Sequence, residues 1–228
     1  IYFARPDSIM NGKNVYECRK NMGKQLALEL KTNADLVIPV PDSGVPAALG
    51  YAEASKIPFN LGIIRNHYVG RTFIEPTQTI RQLGIKLKHN ANSSIIKNKK
   101  IVLIDDSIVR GTTAIKIVEM MRNAGASEVH MRISSPPIKF PDYYGIDTPS
   151  KNELIASKNS SEEIRKILKL DSLHFLSLDG LYHSMGHKKR DTNNPQYTDH
   201  CFTGDYPTKL IDRDEGALEN QLSLLNDK

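Results

Sequence analysis

Residues 102–113 read VLIDDSIVRGTT, and this stretch decides the fold. It begins as an apolar strand, ends that strand in Asp105 and Asp106, and passes through a turn rich in Gly, Ser and Thr into an amphipathic helix. Open α/β sheets bind their ligands at the carboxyl ends of the strands. The turn and the helix start would present backbone N–H groups, with a favourable dipole, to a phosphate. The stretch therefore predicts a sugar-phosphate site.

The composition is that of an ordinary globular protein. The chain has 228 residues, 39% hydrophobic and 25% charged, enough for one large or two small domains. Its formal charge of +5 fits equally a solvated basic surface or an anionic partner, either a phosphorylated small molecule or a nucleic acid. Cys18 and Cys201 are too few for a disulfide framework, which favours a reducing, cytoplasmic compartment.

The ends of the chain and its hydropathy add two expectations. The sequence has no run of about 18 apolar residues and no secretory signal, so we predict no membrane span. It begins at Ile1 with IYF, which is typical of a strand inside a domain. We therefore expect a fragment of a longer polypeptide, with processing or trimming as the alternatives.

Strands and helices alternate along the first part of the chain. The patterns predict helices over residues 14–31 and 46–55, and a third helix with apolar residues at 115, 118 and 121 that stops before Gly125. They predict short strands over residues 35–40, 60–64, 101–104 and 129–133. This alternation indicates an α/β fold with a mainly parallel central sheet flanked by helices.

The rest of the chain has a different pattern. Residues 66–94 form a long polar and basic segment without strong periodicity. We predict a core over about residues 11–135 and a C-terminal α+β subregion over about residues 136–210. In that subregion residues 150–185 are predicted to be rich in helix and residues 186–209 irregular. Residues 211–228 are predicted to be a tail or a terminal helix over residues 214–225.

The Asp105–Asp106 pair allows three interpretations. The acids can cap the following turn, or belong to the magnesium-binding strand of a P-loop NTPase, or hold a sugar phosphate. The second needs the motif G-x-x-x-x-G-K-[ST], which this sequence lacks. Adjacent carboxylates after a strand can hold vicinal ribose hydroxyls and Mg²⁺, directly or through water. We favour this third interpretation.

The turn that follows suits a phosphate. Gly111 permits a positive φ and a close approach of the backbone. Thr112 or Thr113 is predicted as the N-cap of the helix, and a phosphate would bind the orphan N–H groups of the same helix start. A second turn, Pro41-Asp42-Ser43-Gly44, reads by itself as an ordinary β-turn.

These motifs carry a resemblance. Residues 102–113 resemble the phosphoribosylpyrophosphate (PRPP) motif of type I phosphoribosyltransferases. Five further segments resemble the glutamine PRPP amidotransferase family: YFARPDS (2–8), VPDSG (40–44), NHYVGRTFI (66–74), YGID (144–147) and CFTG (201–204). The resemblance runs from residue 1 to about 210 and covers the C-terminal phosphoribosyltransferase half of that family, without its N-terminal glutaminase domain.

The resemblance implies a role for each motif. Asp105 and Asp106 would bind the ribose hydroxyls and Mg²⁺, with Ser43 near the metal. Residues 42–44 would form the diphosphate loop, in which a strained, often cis, peptide aims N–H groups at the diphosphate. The 5′-phosphate would be held by the remaining loop, which comprises Ser107, Arg110, Gly111, Thr112 and Thr113.

Residues 65–89 match the mobile catalytic loop of the family. Five basic residues and one acid occur in this segment, which fits a solvated basic loop or a lid that closes on a polyanion. The resemblance implies Tyr68, Arg71 and Lys86 as its catalytic contacts. Arg65 and His67 depart from the family pattern, which leaves the hydrogen bonds of those two positions open.

Some members of the family hold an iron–sulfur cluster, which is predicted to be absent here. Such clusters need four cysteine thiolates in this family. The family's cysteine positions align with Asp142, Pro195 and Thr198, and the two cysteines of this chain cannot supply four ligands. Cys201 is predicted to be a structural thiol. The i,i+4 pair His183 and His187 is predicted to be structural.

The activity that the resemblance implies is displacement of pyrophosphate from PRPP by ammonia to give 5-phosphoribosylamine, the first step of de novo purine nucleotide biosynthesis. Ammonia would come from glutamine in the intact enzyme. Purine nucleotides would be feedback inhibitors, and the chain would be a homo-oligomer without nucleic-acid partners. A base-using salvage phosphoribosyltransferase, a PRPP-binding regulator that binds nucleic acid and an inactive fragment are the alternatives.

Overall fold

A computed structural model describes residues 4–65 and 89–210. Its strands are β1 (Ile9–Met10), β2 (Lys13–Asn14), β3 (Leu36–Pro39), β4 (Ile63–Arg65), β5 (His89–Ala91), β6 (Lys100–Asp105), β7 (Glu128–Ile133) and β8 (Ser172–Phe175). Its helices are α1 (Val15–Glu29), α2 (Val45–Ser55), α3 (Ser93–Ile96), α4 (Thr112–Asn123), α5 (Ile155–Lys158), α6 (Ser161–Ile167), α7 (Leu178–Ser184) and α8 (His200–Thr203), with a 3₁₀ turn at Lys151–Glu153.

The central sheet has four parallel strands in the order β3-β6-β7-β8. Its registers place Val37 opposite Val102 and Leu103 opposite Met131. Strand β6 is buried along nearly its whole length, as an interior strand of a parallel sheet should be. The predicted α/β fold is therefore confirmed.

Side chains of β6 alternate between two hydrophobic clusters. Ile101 and Leu103 pack with the apolar face of α4, whereas Val102 and Ile104 pack with α1 and α2. Successive residues of a strand point to opposite faces, so the two clusters lie on opposite sides of the sheet. Helices cover both sides, and the loops at the carboxyl edge remain available for ligands.

The predicted helices agree with α1, α2 and α4 to within a few residues. Helix α1 begins after Asn14, whose side chain accepts a hydrogen bond from Glu17 N at 3.1 Å. Helix α4 ends at Asn123, and Gly125 follows with a φ of +90°. That glycine is the predicted stop signal.

The predicted strand over residues 60–64 is only partly correct. Only Ile63–Arg65 forms a strand, and it pairs antiparallel with β5 rather than joining the central sheet. The apolar run that suggested it lies beside β3 through a single bridge between Val37 and Phe59. Exposed Leu61 and Ile64 explain the error, because apolar residues there do not mark a buried strand.

The C-terminal subregion continues the same sheet. The residue patterns there do not reveal β8, which pairs with β7 over Met131–Leu173 and neighbouring positions. Ser160 and Glu163 form a reciprocal capping box at the start of α6. The predicted terminal helix over residues 214–225 lies outside the described residues. Within residues 4–65 and 89–210, every helix is too short or too polar to cross a membrane.

Candidate functional site

Two loops meet at the carboxyl edge of the neighbouring strands β3 and β6. Val40 N donates a hydrogen bond to Ile104 O at 2.8 Å, which fixes the end of one strand against the other. The Ser43 hydroxyl donates to Asp106 Oδ1 at 3.3 Å, although the two residues are 63 positions apart. The structure thus brings the hydroxyl of Ser43 to the predicted acidic pair.

The acidic pair is electrostatically unusual. Asp105 is 8% exposed, and its Oδ1 accepts a hydrogen bond from Asp106 N at 2.9 Å. Burial, followed by the neighbouring charge of Asp106, raises the pKa of Asp105 well above its ordinary value. A carboxylate held in this way favours a cation or hydroxyl donors beside it.

The 41–44 loop is packed tightly under the site. Its Pro41–Asp42 peptide bond is cis. A Cβ on Gly44 would lie 2.4 Å from Ile104 O, so only glycine permits this approach of the loop to β6. Helix α2 begins directly after Gly44, which places a helix N-terminus beside the acidic pair.

The loop from residue 107 to 113 leads into the N-terminus of α4. Gly111 adopts a φ of +80° and is the N-cap of α4. The predicted N-cap at Thr112 or Thr113 is therefore wrong, because both residues already lie in the helix, with exposed side chains. No described side chain caps α4, so its first N–H groups face the site without a side-chain acceptor.

Arg110 forms an ion pair with an acidic residue at the surface. Its Nε donates to Glu153 Oε1 at 3.0 Å, and each side chain is about half exposed. Glu153 lies in the 3₁₀ turn of the C-terminal subregion, so this pair joins the predicted phosphate loop to that subregion. The predicted role of Arg110 in binding phosphate remains a prediction.

The predicted catalytic loop lies largely outside the described residues, including Tyr68, Arg71 and Lys86. Its two ends are described, because β4 and β5 pair between Arg65 and His89. Arg65 forms an ion pair with Asp42, which binds the start of the segment to the 41–44 loop. The positive charge at position 65 therefore pairs with the 41–44 loop, although arginine departs from the family pattern at this position.

Arg19 is a charged residue that the sequence patterns do not single out. It lies on the buried face of α1, is 7% exposed, and donates from Nη2 to Ala4 O at 2.9 Å. Burial lowers the pKa of Arg19, and the charge of Asp106 opposes that shift. The signal for this residue is an arginine on an apolar helix face, between Val15 and Met22.

The two cysteines differ in their surroundings. Cys18 is buried in α1, and Cys201 is partly buried in α8. Burial, followed by the charge of Asp142, raises the pKa of Cys201 to about 11, so the thiol is protonated at neutral pH in the absence of a bound ion. His187 lies beyond the end of α7, so His183 and His187 do not share a helix face.

The fold and these loops define an α/β domain of the phosphoribosyltransferase type. Residues 7–134 match the phosphoribosyl transferase domain family. The chain belongs to this family.

Relatives narrow the similarity further. The chain is 59% identical over 226 residues to an amidophosphoribosyltransferase of Rhizobium etli, which covers 99% of this chain and 46% of the relative. It is 54% identical over 210 residues to an amidophosphoribosyltransferase of Bacillus subtilis, covering 92% of this chain and 44% of the relative. The chain therefore spans about half the length of the curated relatives it matches.

A solved structure shows the same similarity to amidotransferases of this kind. The glutamine PRPP amidotransferase from B. subtilis complexed with ADP and GMP matches with a TM-score of 0.83 and 53% identity. The match covers 92% of this chain and 46% of that chain. The similarity at this level extends through the C-terminal subregion as well as the phosphoribosyl transferase domain match.

Proposed function

We propose that this chain is the phosphoribosyltransferase half of an amidophosphoribosyltransferase. It would displace pyrophosphate from PRPP with ammonia and give 5-phosphoribosylamine. The observation that carries this proposal is the contact between Ser43 and Asp106, which joins the diphosphate loop and the ribose-binding acids into one site. The high identity with amidophosphoribosyltransferases favours ammonia over a nucleobase as the acceptor.

The donor set suits Mg²⁺. Ser43, Asp105 and Asp106 supply hydroxyl and carboxylate oxygens, the ligands that Mg²⁺ prefers. The buried Asp105 has a raised pKa, and no described cation forms an ion pair with it, so a divalent ion would favour its charged form. When bound with PRPP, Mg²⁺ would neutralise charge on the leaving diphosphate.

The chain's own residues would position the sugar and stabilise charge. Asp105 and Asp106 would accept hydrogen bonds from the ribose hydroxyls and orient C1 toward ammonia. The N–H groups at the start of α4 would hold the 5′-phosphate, and the buried charge of Arg19 would offset the negative charge of the site. The transition state would be oxocarbenium-like, so positioning and electrostatics are the expected means of catalysis.

Residues 66–88 would act as a lid in this proposal. Arg71, Tyr68 and Lys86 would close over the diphosphate, exclude water and stabilise the departing group. The ion pair of Arg65 with Asp42 supports this role, because it links the start of the segment to the diphosphate loop.

The remaining assignments follow the same family. One phosphoribosyltransferase domain would span the chain, with a core over about residues 11–135, a subregion over about residues 136–210 and a tail. A glutaminase domain would supply ammonia from glutamine, purine nucleotides would inhibit, and the enzyme would be a cytoplasmic homo-oligomer that binds neither nucleic acid nor membrane. We propose that it holds no iron–sulfur cluster.

Release of pyrophosphate from PRPP tests the proposal. The assay contains Mg²⁺ and ammonium chloride at mildly alkaline pH. We expect release that depends on ammonia and disappears in the Asp105→Asn/Asp106→Asn variant. The control is Glu119→Gln with Asp179→Asn, which removes two charges from exposed positions. Release driven by a purine base but not by ammonia would overturn the assignment in favour of a salvage enzyme.

A further inference from the structure

A second cluster of chemically active side chains lies in the C-terminal subregion. The ligand atoms of Asp142, His200 and Cys201 all lie within 4.8 Å of one another. His200 Nε2 is 2.7 Å from Asp142 Oδ2 and 3.5 Å from Cys201 Sγ. The aspartate and the histidine are 58 positions apart, so the fold itself assembles this group.

The geometry excludes a nucleophilic relay. In a thiol–imidazole–carboxylate relay the nucleophile contacts one ring nitrogen and the acid contacts the other. Here the thiol and the carboxylate both contact Nε2. The other nitrogen, Nδ1, is buried without a hydrogen-bond partner among the described residues. Three donor atoms that converge on one point are what a bound ion requires.

The separations are close to those of a tetrahedral ion site. Zinc binds nitrogen and oxygen at about 2.0–2.1 Å and sulfur at about 2.3 Å, so neighbouring ligand atoms lie roughly 3.3–3.6 Å apart. The Nε2–Sγ distance of 3.5 Å already fits. The Nε2–Oδ2 distance of 2.7 Å is that of a hydrogen bond. A shift of the carboxylate oxygen by about 0.6 Å would make room for the ion, and the proton on Nε2 and the thiol proton of Cys201 would be released to solvent.

The donors are held in place by a surrounding shell. Asp142 Oδ1 accepts hydrogen bonds from Tyr144 N and Ile146 N, each at 2.9 Å, which leaves Oδ2 directed at His200. The imidazole packs edge-on against the ring of Tyr144 and stacks on the ring of Tyr206, at centroid distances of 5.1 and 5.0 Å. Such hydrogen bonds and packing fix the ligands of structural metal sites.

We infer that Asp142, His200 and Cys201 form a mononuclear site for a borderline-soft divalent cation, namely Zn²⁺. Thiolate, imidazole and carboxylate together favour zinc over Mg²⁺, which prefers oxygen ligands alone. The described residues supply three of the four ligands of a tetrahedral site, and water would complete it. The ion would join the loop around Asp142 to α8, so its role is to stabilise the subregion. This inference is independent of the proposed function, since none of the three residues contacts the PRPP site.

Metal analysis of the purified chain tests the inference. After dialysis against metal-free buffer and titration with Zn²⁺, we expect one tightly held zinc per chain. Titration with Co²⁺ should give tetrahedral d–d bands and a sulfur-to-cobalt charge-transfer band. Cys201→Ser should abolish the charge-transfer band and weaken zinc binding at least about 100-fold. The matched control Cys18→Ser should keep both signals.

Two further variants distinguish other outcomes. The Asp105→Asn/Asp106→Asn variant should keep the zinc, and its loss there would place the ion at the PRPP site and overturn the inference. Asp142→Asn, whose amide keeps the shape of the side chain, should weaken zinc binding about 10-fold or more even if Cys201→Ser does not fold. Failure of the wild-type chain to hold zinc, or unchanged binding in these variants, would also overturn it.

Discussion

The loops proposed to bind PRPP, residues 41–44 and 105–113, form a polar site that we call the PRPP edge. This edge and the Asp142–His200 cluster are built in opposite ways. At the PRPP edge, Asp105 and Asp106 are adjacent in sequence, and burial raises the pKa of Asp105. In the cluster, burial also acts to raise the pKa of Asp142, but hydrogen bonds from Ile146 N, Tyr144 N and His200 outweigh it and lower that pKa. The carboxylate of Asp105 has no compensating cation among the described residues, whereas the carboxylate of Asp142 accepts hydrogen bonds that would orient it toward the proposed zinc ion.

The opposite pKa shifts of Asp105 and Asp142 predict different effects of substitution on activity and on stability. A buried carboxylate without a compensating cation costs folding free energy that a ligand can recover. A carboxylate that accepts several hydrogen bonds contributes to folding free energy instead. We therefore expect substitutions at the PRPP edge to act on activity and substitutions in the cluster to act on unfolding. The following predictions test that separation.

The largest expected effect is on activity. Asp105→Asn with Asp106→Asn should lower kcat/KM for PRPP by about 10³-fold or more, because oriented charges at the reacting sugar are lost. The Glu119→Gln/Asp179→Asn control should change it less than about threefold. A variant that retains most of its turnover would refute the placement of the active site.

The next effect is on stability in the cluster. Asp142→Asn should destabilise the fold by about 2 kcal/mol, because a buried charged hydrogen-bond partner of His200 is removed. Thermal unfolding at neutral pH should show a Tm lowered by about 4–8 °C. Since the pKa of Asp142 is lowered from its ordinary 3.8, its contribution is present above that pH and is lost as the pH falls through the lower folded value. A Tm that does not change would contradict this account.

A glycine in each region sharpens the comparison. Gly111 and Gly145 have φ values of +80° and +114°, so alanine at either should cost about 1 kcal/mol of stability. Only Gly111→Ala should also raise KM for PRPP, by about 10-fold, because it displaces the N–H groups at the start of α4. Thermal unfolding would measure the loss of stability in each variant, and steady-state kinetics would measure KM for PRPP. An equal rise in KM in the two variants would contradict the assignment of the 5′-phosphate site to the start of α4.

The smallest effect has an unusual sign. Asp105→Asn alone should raise Tm at neutral pH, because a neutral amide replaces a buried carboxylate whose ionisation is unfavourable. The pKa of Asp105 is raised in the fold, so the penalty is absent below its ordinary 3.8 and grows as the pH rises toward the folded value. Thermal unfolding of the wild type and of Asp105→Asn should be measured near pH 4 and near pH 7. The difference in Tm between the two proteins should be smaller at the lower pH. A lowered Tm at neutral pH would show that the carboxylate stabilises the fold.

Contiguous motifs made the PRPP edge predictable. The strand, acids, glycine and helix of residues 102–113 are consecutive, so their order alone implies the geometry. Helices α1, α2 and α4 were predictable because each has a clear apolar face or strong end signals. The N-cap at Gly111 was not, because its left-handed backbone replaces a side-chain cap.

Features assembled over long distances were not predictable. Strand β8 depends on pairing with β7, and the segment around residues 60–64 has apolar residues that the fold leaves exposed. The contact between Asp142 and His200 joins residues 58 positions apart, and no local pattern encodes it. In the sequence, Arg19 is visible only as a charged residue on an apolar helix face. Its electrostatic interaction with Asp106 depends on the fold, which brings the two residues near each other.

Calorimetric binding of PRPP is the most direct test of the central claim, that the two loops form one magnesium-dependent site. The wild-type chain should bind PRPP more tightly with Mg²⁺ than without it. The Asp105→Asn/Asp106→Asn variant should bind at least about 100-fold more weakly and should not respond to Mg²⁺. Equal affinity in the two proteins, with the same magnesium dependence, would contradict the account.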